Sequence, residues 1–233
     1  EFPQAVLAEL AKLAPPKLEG RTDLRGLDLL TIDPIDARDH DDAVHAAPDT
    51  DDARNDGGWV VHVAIADVAH YVRPGSRLDR EAQLRGNSVY FPGFVVPMLP
   101  HALSSRICSL VEGEDRLTQT AVMEIDKAGQ IVEAKFHDGV IRSAGKLAYK
   151  DAQAILDALD ELVPVEVIGD LAIRQVHELR AVLQVVDRDD VGHAAPVERL
   201  DQVRADETGG AGDYVVHAAL PEAITSHPSF VTL

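Results

Sequence analysis

The chain has 233 residues, a formal net charge of −18 and 45% hydrophobic residues. That hydrophobic content supports a buried core and excludes a disordered protein. The negative charge excludes a bare nucleic-acid-binding surface, because neutralising phosphates requires clustered Lys and Arg. Any polyanionic substrate is therefore expected to need cations, supplied either by metal ions or by further basic modules.

Cys108 is the single cysteine, so an intramolecular disulfide is excluded and a reducing compartment, the cytoplasm, is expected. No apolar run approaches the ~20 residues that span a bilayer, and no signal-peptide pattern opens the chain. The sequence starts at Glu1 rather than at methionine. We therefore expect a piece of a longer protein with no membrane association.

In chain order, the first half of the sequence predicts one helix and three strands. Apolar side chains at helical spacing indicate the helix, and Pro15-Pro16 ends it. β-Branched residues make WVVHVAIADV the clearest strand, and a polar turn at 49–58 precedes it. The predicted elements are the helix 4–13 and the strands 27–32, 43–47 and 59–68.

The second half predicts further helices, a hairpin and a loop whose prolines impose an irregular path. In order they are a helix at 77–84, an extended segment at 88–91, the loop 92–100, a hairpin of 117–125 and 131–136, a continuation at 140–143, and helices at 149–159 and 167–186. These elements predict an α+β fold with a mixed, largely antiparallel sheet and packed helices. We expect an N-terminal helix and linker at 1–20, a main domain at 21–188 and a poorly packed tail at 189–233.

The stretch TIDPIDARDHDDAVH, residues 31–45, gathers five aspartates within the ten residues 33–42, where only Arg38 and His40 are possible counter-charges. Crowded carboxylates either raise one another's pKa or bind a cation. Ligation by oxygen alone favours Mg²⁺, Mn²⁺ or Ca²⁺ over zinc. An EF-hand is excluded, because starting it at Asp33 or Asp39 leaves the required glycine position without a glycine. The remaining alternatives are a Mg²⁺ site for phosphoryl transfer and a solvated acidic loop.

The motif TIDPIDARDHDDAV resembles the signature of the ribonuclease II / ribonuclease R family catalytic domain, the RNB domain. The similarity continues collinearly over roughly residues 2–160, through HVAIADVAHYVRPGSRLDREAQLRGNSVYFPGFVVPMLPHALSSRICSL, EDRLTQTAVMEI and FHDGVIRS. The resemblance implies the N-terminal portion of an RNB catalytic domain. Members of that family are processive 3′-to-5′ exoribonucleases that hydrolyse single-stranded RNA to nucleoside 5′-monophosphates with Mg²⁺.

The resemblance also implies roles for individual residues. Four aspartates match the family's catalytic positions: Asp33, Asp39, Asp41 and Asp42. Asp33 and Asp42 would be ligands of Mg²⁺, or alternatively Mn²⁺, while Asp39 and Asp41 would position a second metal or the attacking water. Asp36 matches none of the four and is expected to be a loop or capping residue. Tyr90, in NSVYFPG, matches the tyrosine that stacks on an RNA base.

Other candidate groups have simpler interpretations. His62 and His70 are expected to be structural, and Cys108, within ICSL, is expected to be a buried small hydrophobe. The Ser-Pro-Ile-Arg motif of the family's second half, whose arginine contacts the scissile phosphate, does not occur in the sequence. We therefore expect a truncated form with weak or no activity. Two alternatives are a non-catalytic remnant that binds metal or RNA, and an acidic interaction domain that only retains the motif.

Overall fold

The computed structural model describes residues 1–50, 57–91, 94–161 and 174–181. Within these residues a seven-stranded sheet forms the centre of the fold. In sheet order its strands are β1 (Thr22–Asp23), β8 (Ile131–Arg142), β7 (Asp115–Ile125), β4 (Trp59–Ala66), β3 (Asp42–Pro48), β2 (Leu30–Asp33) and β9 (Gly145–Ala148). The two remaining strands, β5 (Val89–Phe91) and β6 (Phe94–Val96), pair as a separate ribbon.

The middle of the sheet is antiparallel, and both of its edges are parallel. Strands β3, β4, β7 and β8 follow one another as antiparallel neighbours, whereas β1 runs parallel to β8 and β9 runs parallel to β2. Helices pack on this sheet, so the predicted α+β fold with a mixed, largely antiparallel sheet is confirmed.

The helices are short. They are α1 (Gln4–Leu10), α2 (Val68–Tyr71), α3 (Arg77–Arg85), α4 (Tyr149–Glu161), a π-helical turn at Leu103–Ile107 and a helical segment at 174–181. Among the described residues, none of the helices combines the length and the apolar character needed to cross a membrane.

The apolar residues form one main core and two smaller clusters. The main core joins sheet residues such as Ala43 and Ala64 to Leu78 of α3 and Leu103 of the π-helical turn, and Val6 brings α1 into the same cluster. A second cluster, around Val61, Val63 and Met123, is joined by Leu179. Both faces of the central strands are therefore covered, which holds the strand ends in place.

Several predicted boundaries were wrong for local physical reasons. Strand β4 ends at Ala66 rather than at residue 68, because Asp67 caps α2: its side chain accepts a hydrogen bond from the backbone N–H of His70. The first helix ends at Leu10 rather than at residue 13. The segment 92–100 is not wholly irregular, since β6 forms a ladder with β5 in which Val89 faces Val96. The sequence pattern also missed the short strands β1 and β9.

The remaining strand and helix predictions are confirmed with small shifts. The hairpin is longer than predicted, because β8 continues without a break through the segment expected at 140–143. Of the helix expected at 167–186, the described part, 174–181, is helical. The tail expected at 189–233 lies outside the described residues.

Candidate active site on the aspartate loop

The aspartate loop connects two neighbouring strands of the sheet. Strand β2 ends at Asp33, and β3 begins at Asp42 and pairs antiparallel with β2. Both aspartates therefore lie at the same edge of the sheet, at the two ends of one loop. The backbone N–H of Ala37 donates to the carbonyl of Pro34 at 3.0 Å and turns the chain immediately after Asp33. Asp33 is buried at one end of the loop, and Asp42 is half-buried at the other.

Asp33 is the most deeply placed of the predicted site residues. Its exposed fraction is 6%, and His40, which returns from the far side of the loop, is 7% exposed. The Nδ1 atom of His40 lies 2.7 Å from Oδ2 of Asp33. A buried carboxylate requires a hydrogen-bonding or charged partner, and this histidine supplies one.

The backbone of the loop is attached to the elements beside it. The N–H of His40 donates to Oγ of Ser109, at 3.2 Å, and the N–H of Leu110 donates to the carbonyl of His40, at 2.6 Å. The carbonyl of Asp41 accepts from the N–H of Ala66 at 2.7 Å. The end of β4 and the segment after the π-helical turn therefore set the path of residues 40–41.

The other predicted ligands are more accessible than Asp33. Asp39, Asp41 and Asp42 are half-buried, which leaves their carboxylates within reach of solvent and ions. Asp36 is exposed on the loop, as expected of a residue outside the predicted set. The structure thus places the four predicted catalytic aspartates on one loop and its flanking strand ends.

The donor atoms of the aspartate loop suit a divalent cation, but they do not form a complete coordination site. Carboxylate oxygens are the ligands that Mg²⁺ and Mn²⁺ prefer. Within the described ranges, however, no three His, Cys, Asp or Glu side chains are grouped so that they could hold one metal ion. One oxygen of Asp33 is already engaged by His40. The present arrangement therefore offers ligands of the right kind without three of them at one point.

Tyr90 lies outside the sheet that carries the aspartates. It belongs to the β5–β6 ribbon, opposite Val95, and 56% of its surface is exposed. Phe91 and Phe94 stack on each other beside it, with ring centroids 4.7 Å apart and planes 11° from parallel. The ribbon is thus an exposed aromatic element, a type of surface on which bases can stack.

The surroundings of the other candidate residues, Cys108 and His62, favour structural roles. Burial raises the pKa of the Cys108 thiol to about 12, so this cysteine is protonated and unreactive near neutral pH. Burial also lowers the pKa of His62 to about 4, with the nearby His45 and His137 as smaller causes. His62 packs edge to face against His45 across the β3–β4 pair. The predictions that Cys108 is a buried hydrophobe and His62 structural agree with these surroundings.

Sequence reasoning missed the specific partner of Asp33. The signal was present, because His40 and Arg38 are the only cationic candidates within the loop. The sequence alone did not select His40, because Arg38 carries a permanent charge and is an equally good candidate partner for a carboxylate. In the structure Arg38 is exposed and His40 is buried against Asp33.

The sequence and the fold of this chain are similar to those of known proteins. The family model described as "RNB domain" matches residues 21–207. Ribonuclease R of Vibrio parahaemolyticus is 47% identical over 166 residues, which are 70% of this chain and 19% of that protein. Mycoplasma genitalium RNase R superimposes with a TM-score of 0.70, both in complex with double-stranded RNA and with ribose methylated single-stranded RNA.

These two structures are 29% and 28% identical to this chain, covering 81% and 83% of it and 32% and 30% of the solved chains. The chain spans about a fifth of the length of the curated relatives it matches, 19% of one and 22% of another. The aspartate loop, the mixed sheet and the match over residues 21–207 together lead to one conclusion: the chain belongs to the RNB domain family.

Proposed function

We propose that this chain provides the aspartate-loop part of a 3′-to-5′ exoribonuclease catalytic domain. Its substrate would be single-stranded RNA, hydrolysed with Mg²⁺ to nucleoside 5′-monophosphates, in the reducing environment of the cytoplasm. The observation that supports this most strongly is the position of Asp33, Asp39, Asp41 and Asp42 on one loop of an RNB domain, with Asp33 and Asp42 at its two ends.

The charge balance supports a cation-dependent reaction. A chain with a net charge of −18 repels the phosphates of RNA unless cations intervene. Mg²⁺, when bound, would neutralise charge on the scissile phosphate and lower the pKa of a bound water. Asp33 and Asp42 would hold it, while Asp39 and Asp41 would orient the attacking water or a second ion.

The exposed ribbon would contribute substrate binding. Tyr90 presents an aromatic face that can stack on any base, which suits a nuclease without sequence preference. Each such stack contributes ~1–3 kcal/mol. The solved relative in complex with ribose methylated single-stranded RNA supports RNA as the ligand class for this domain.

Metal binding by the loop can be tested by titrating the chain with Mn²⁺ in a calorimeter. We expect binding that is lost in the double variant Asp41→Asn plus Asp42→Asn, because it removes the charge of the proposed ligand Asp42 and that of Asp41, which would orient water or a second ion beside it. Asp36→Asn is the matched control, since it removes a carboxylate of the same loop that the proposal does not use. Equal Mn²⁺ affinity in the wild type and the double variant would refute the assignment.

Activity can be tested with 5′-labelled single-stranded RNA and Mg²⁺. We expect slow shortening from the 3′ end, because no Ser-Pro-Ile-Arg segment is present to stabilise charge on the phosphate. Loss of one such preorganised group costs ~10²–10³ in rate. Internal cuts, products with 3′-phosphates, or equal rates with the Asp41/Asp42 double variant would contradict the proposed reaction.

A second candidate function is a metal- or RNA-binding module without catalysis. It is favoured by the absence from the sequence of a Ser-Pro-Ile-Arg segment, whose arginine would stabilise charge on the scissile phosphate. The two candidates differ in one measurable respect. A binding module retains Mn²⁺ affinity but releases no mononucleotide even at prolonged incubation and high protein concentration.

A further inference from the structure

We propose that His40 is a positioning residue that orients the carboxylate of Asp33 for cation binding. The inference rests on the proposed function, since it takes Asp33 to be a metal ligand. It assigns a role to a side chain that is neither one of the four predicted catalytic aspartates nor the predicted base-stacking tyrosine.

The direction of the hydrogen bond follows from the chemistry of the two groups. An ionised carboxylate can only accept hydrogen bonds, so Nδ1 of His40 must carry the proton that Oδ2 of Asp33 receives. This bond occupies one carboxylate oxygen and sets the plane of the group. The other oxygen of Asp33 is then presented in a defined direction, as happens when metal-binding carboxylates are held by a second hydrogen-bonding group.

His40 can do this because its own backbone is held from both sides. Its N–H donates to Ser109, and its carbonyl accepts from the N–H of Leu110. Ser109 and Leu110 are each 1% exposed, and the carbonyl of Ser109 in turn accepts from Nε of Arg116. The ring position is therefore set by the interior of the protein and not by the loop alone.

This anchoring has an energetic consequence for the loop. Fixing the backbone of one residue costs ~1–2 kcal/mol of conformational entropy. Where the protein has already fixed Asp33 and His40, a cation does not have to order them when it binds. Arg38, the other basic side chain of the loop, is exposed and supplies no comparable fixed geometry.

The test uses three variants of the full chain and Mn²⁺ as the probe in calorimetric titration. His40→Phe keeps a ring of similar size but has no donor. His40→Asn places an amide nitrogen two bonds beyond Cβ, where Nδ1 stands in histidine. His101→Phe is the matched control, because His101 is an exposed histidine outside the loop.

We expect His40→Phe to weaken Mn²⁺ binding ~10–100-fold, the usual effect of removing a group that holds a metal ligand. His40→Asn and His101→Phe are expected to stay close to the wild type. Unchanged affinity in His40→Phe overturns the proposal. Equal weakening in His40→Phe and His40→Asn also overturns it, because the hydrogen bond would then not be the cause.

A second measurement separates this inference from the proposed function. If the wild type and Asp33→Asn bind Mn²⁺ equally, the metal assignment fails, and tryptic cleavage after the exposed Arg38 in metal-free buffer decides the role of His40. Faster cleavage in His40→Phe, restored by His40→Asn, supports positioning of the loop. Equal cleavage rates in all three proteins refute it.

Discussion

Replacement of Arg21 by alanine provides a quantitative test of how the sheet is held together near the aspartate loop. Nη2 of Arg21 lies 2.5 Å from Oδ2 of Asp67, and the two side chains are only 10% and 5% exposed. Nη1 of Arg21 also donates to the carbonyls of Thr118 and Gly139, at 3.4 and 3.3 Å. One guanidinium thus joins the segment before β1 to strands β7 and β8 and to the cap of α2.

The Arg21→Ala variant leaves the Asp67 carboxylate buried with its capping bond to the N–H of His70 but without its cation. Removing one partner of a buried ion pair costs ~3–5 kcal/mol. For a chain of this size, each kcal/mol lowers the melting temperature by ~2–4 °C. We therefore expect the melting temperature, measured by circular dichroism, to fall by ~6–20 °C. Urea denaturation measures the corresponding loss in the free energy of unfolding.

Arg25→Ala is the matched control. Arg25 pairs with Asp23 and Asp115, but its side chain is 35% exposed, and such accessible pairs contribute ~0–1 kcal/mol. The double variant Arg21→Ala plus Asp67→Ala should recover part of the loss, because it removes the unpaired charge. A loss below ~1 kcal/mol in Arg21→Ala, or one equal to that of Arg25→Ala, would refute the reasoning.

Three further predictions concern backbone space, acid sensitivity and helix capping. Gly58→Ala should lower the free energy of unfolding by ~1–3 kcal/mol, because the added Cβ would stand 1.8 Å from the carbonyl oxygen of Ile125. In the control Gly26→Ala the added Cβ meets nothing within 4 Å, so the free energy of unfolding should change by under ~0.5 kcal/mol. The pKa of His62 is about 4 in the folded protein, against 6.5 in the unfolded chain. The resulting contribution to stability is fully present above pH 6.5 and is lost as the pH falls toward 4. His62→Gln should flatten that decline in urea midpoints, and parallel declines would contradict the cause. Ser76→Ala should cost ~1 kcal/mol in the same assay, because Oγ of Ser76 accepts from the N–H of Asp79 at the start of α3; no loss would show the cap to be dispensable.

Local sequence pattern predicted those elements whose stability depends on their own residues. Strand β4 is dense in β-branched residues, and α3 lies between the capping residues Ser76 and Gly86. The aspartate loop was identified for the same reason, because five carboxylates within ten residues are unusual in any context. For these features the information lies within one short stretch of chain.

The missed strands are those that are defined by a pairing partner rather than by a sequence pattern of their own. Strand β9 has four residues and exists because it lies parallel to β2, with Leu30 facing Gly145. Strand β6 follows a proline-containing segment and is formed by its pairing with β5 and by the stack of Phe91 on Phe94. Neither strand has a periodic pattern long enough to be read by itself.

Composition and local pattern account for the packed α+β core, the acidic charge and the loop of aspartates on which a divalent-cation site is proposed. The way in which that loop is held depends instead on long-range contacts. His40, rather than the permanently charged Arg38, became the partner of Asp33, because Ser109 and Leu110 hold the backbone of His40 beneath the loop. Those two residues are 69 and 70 positions away, and only folding brings such distant groups into hydrogen-bonding range.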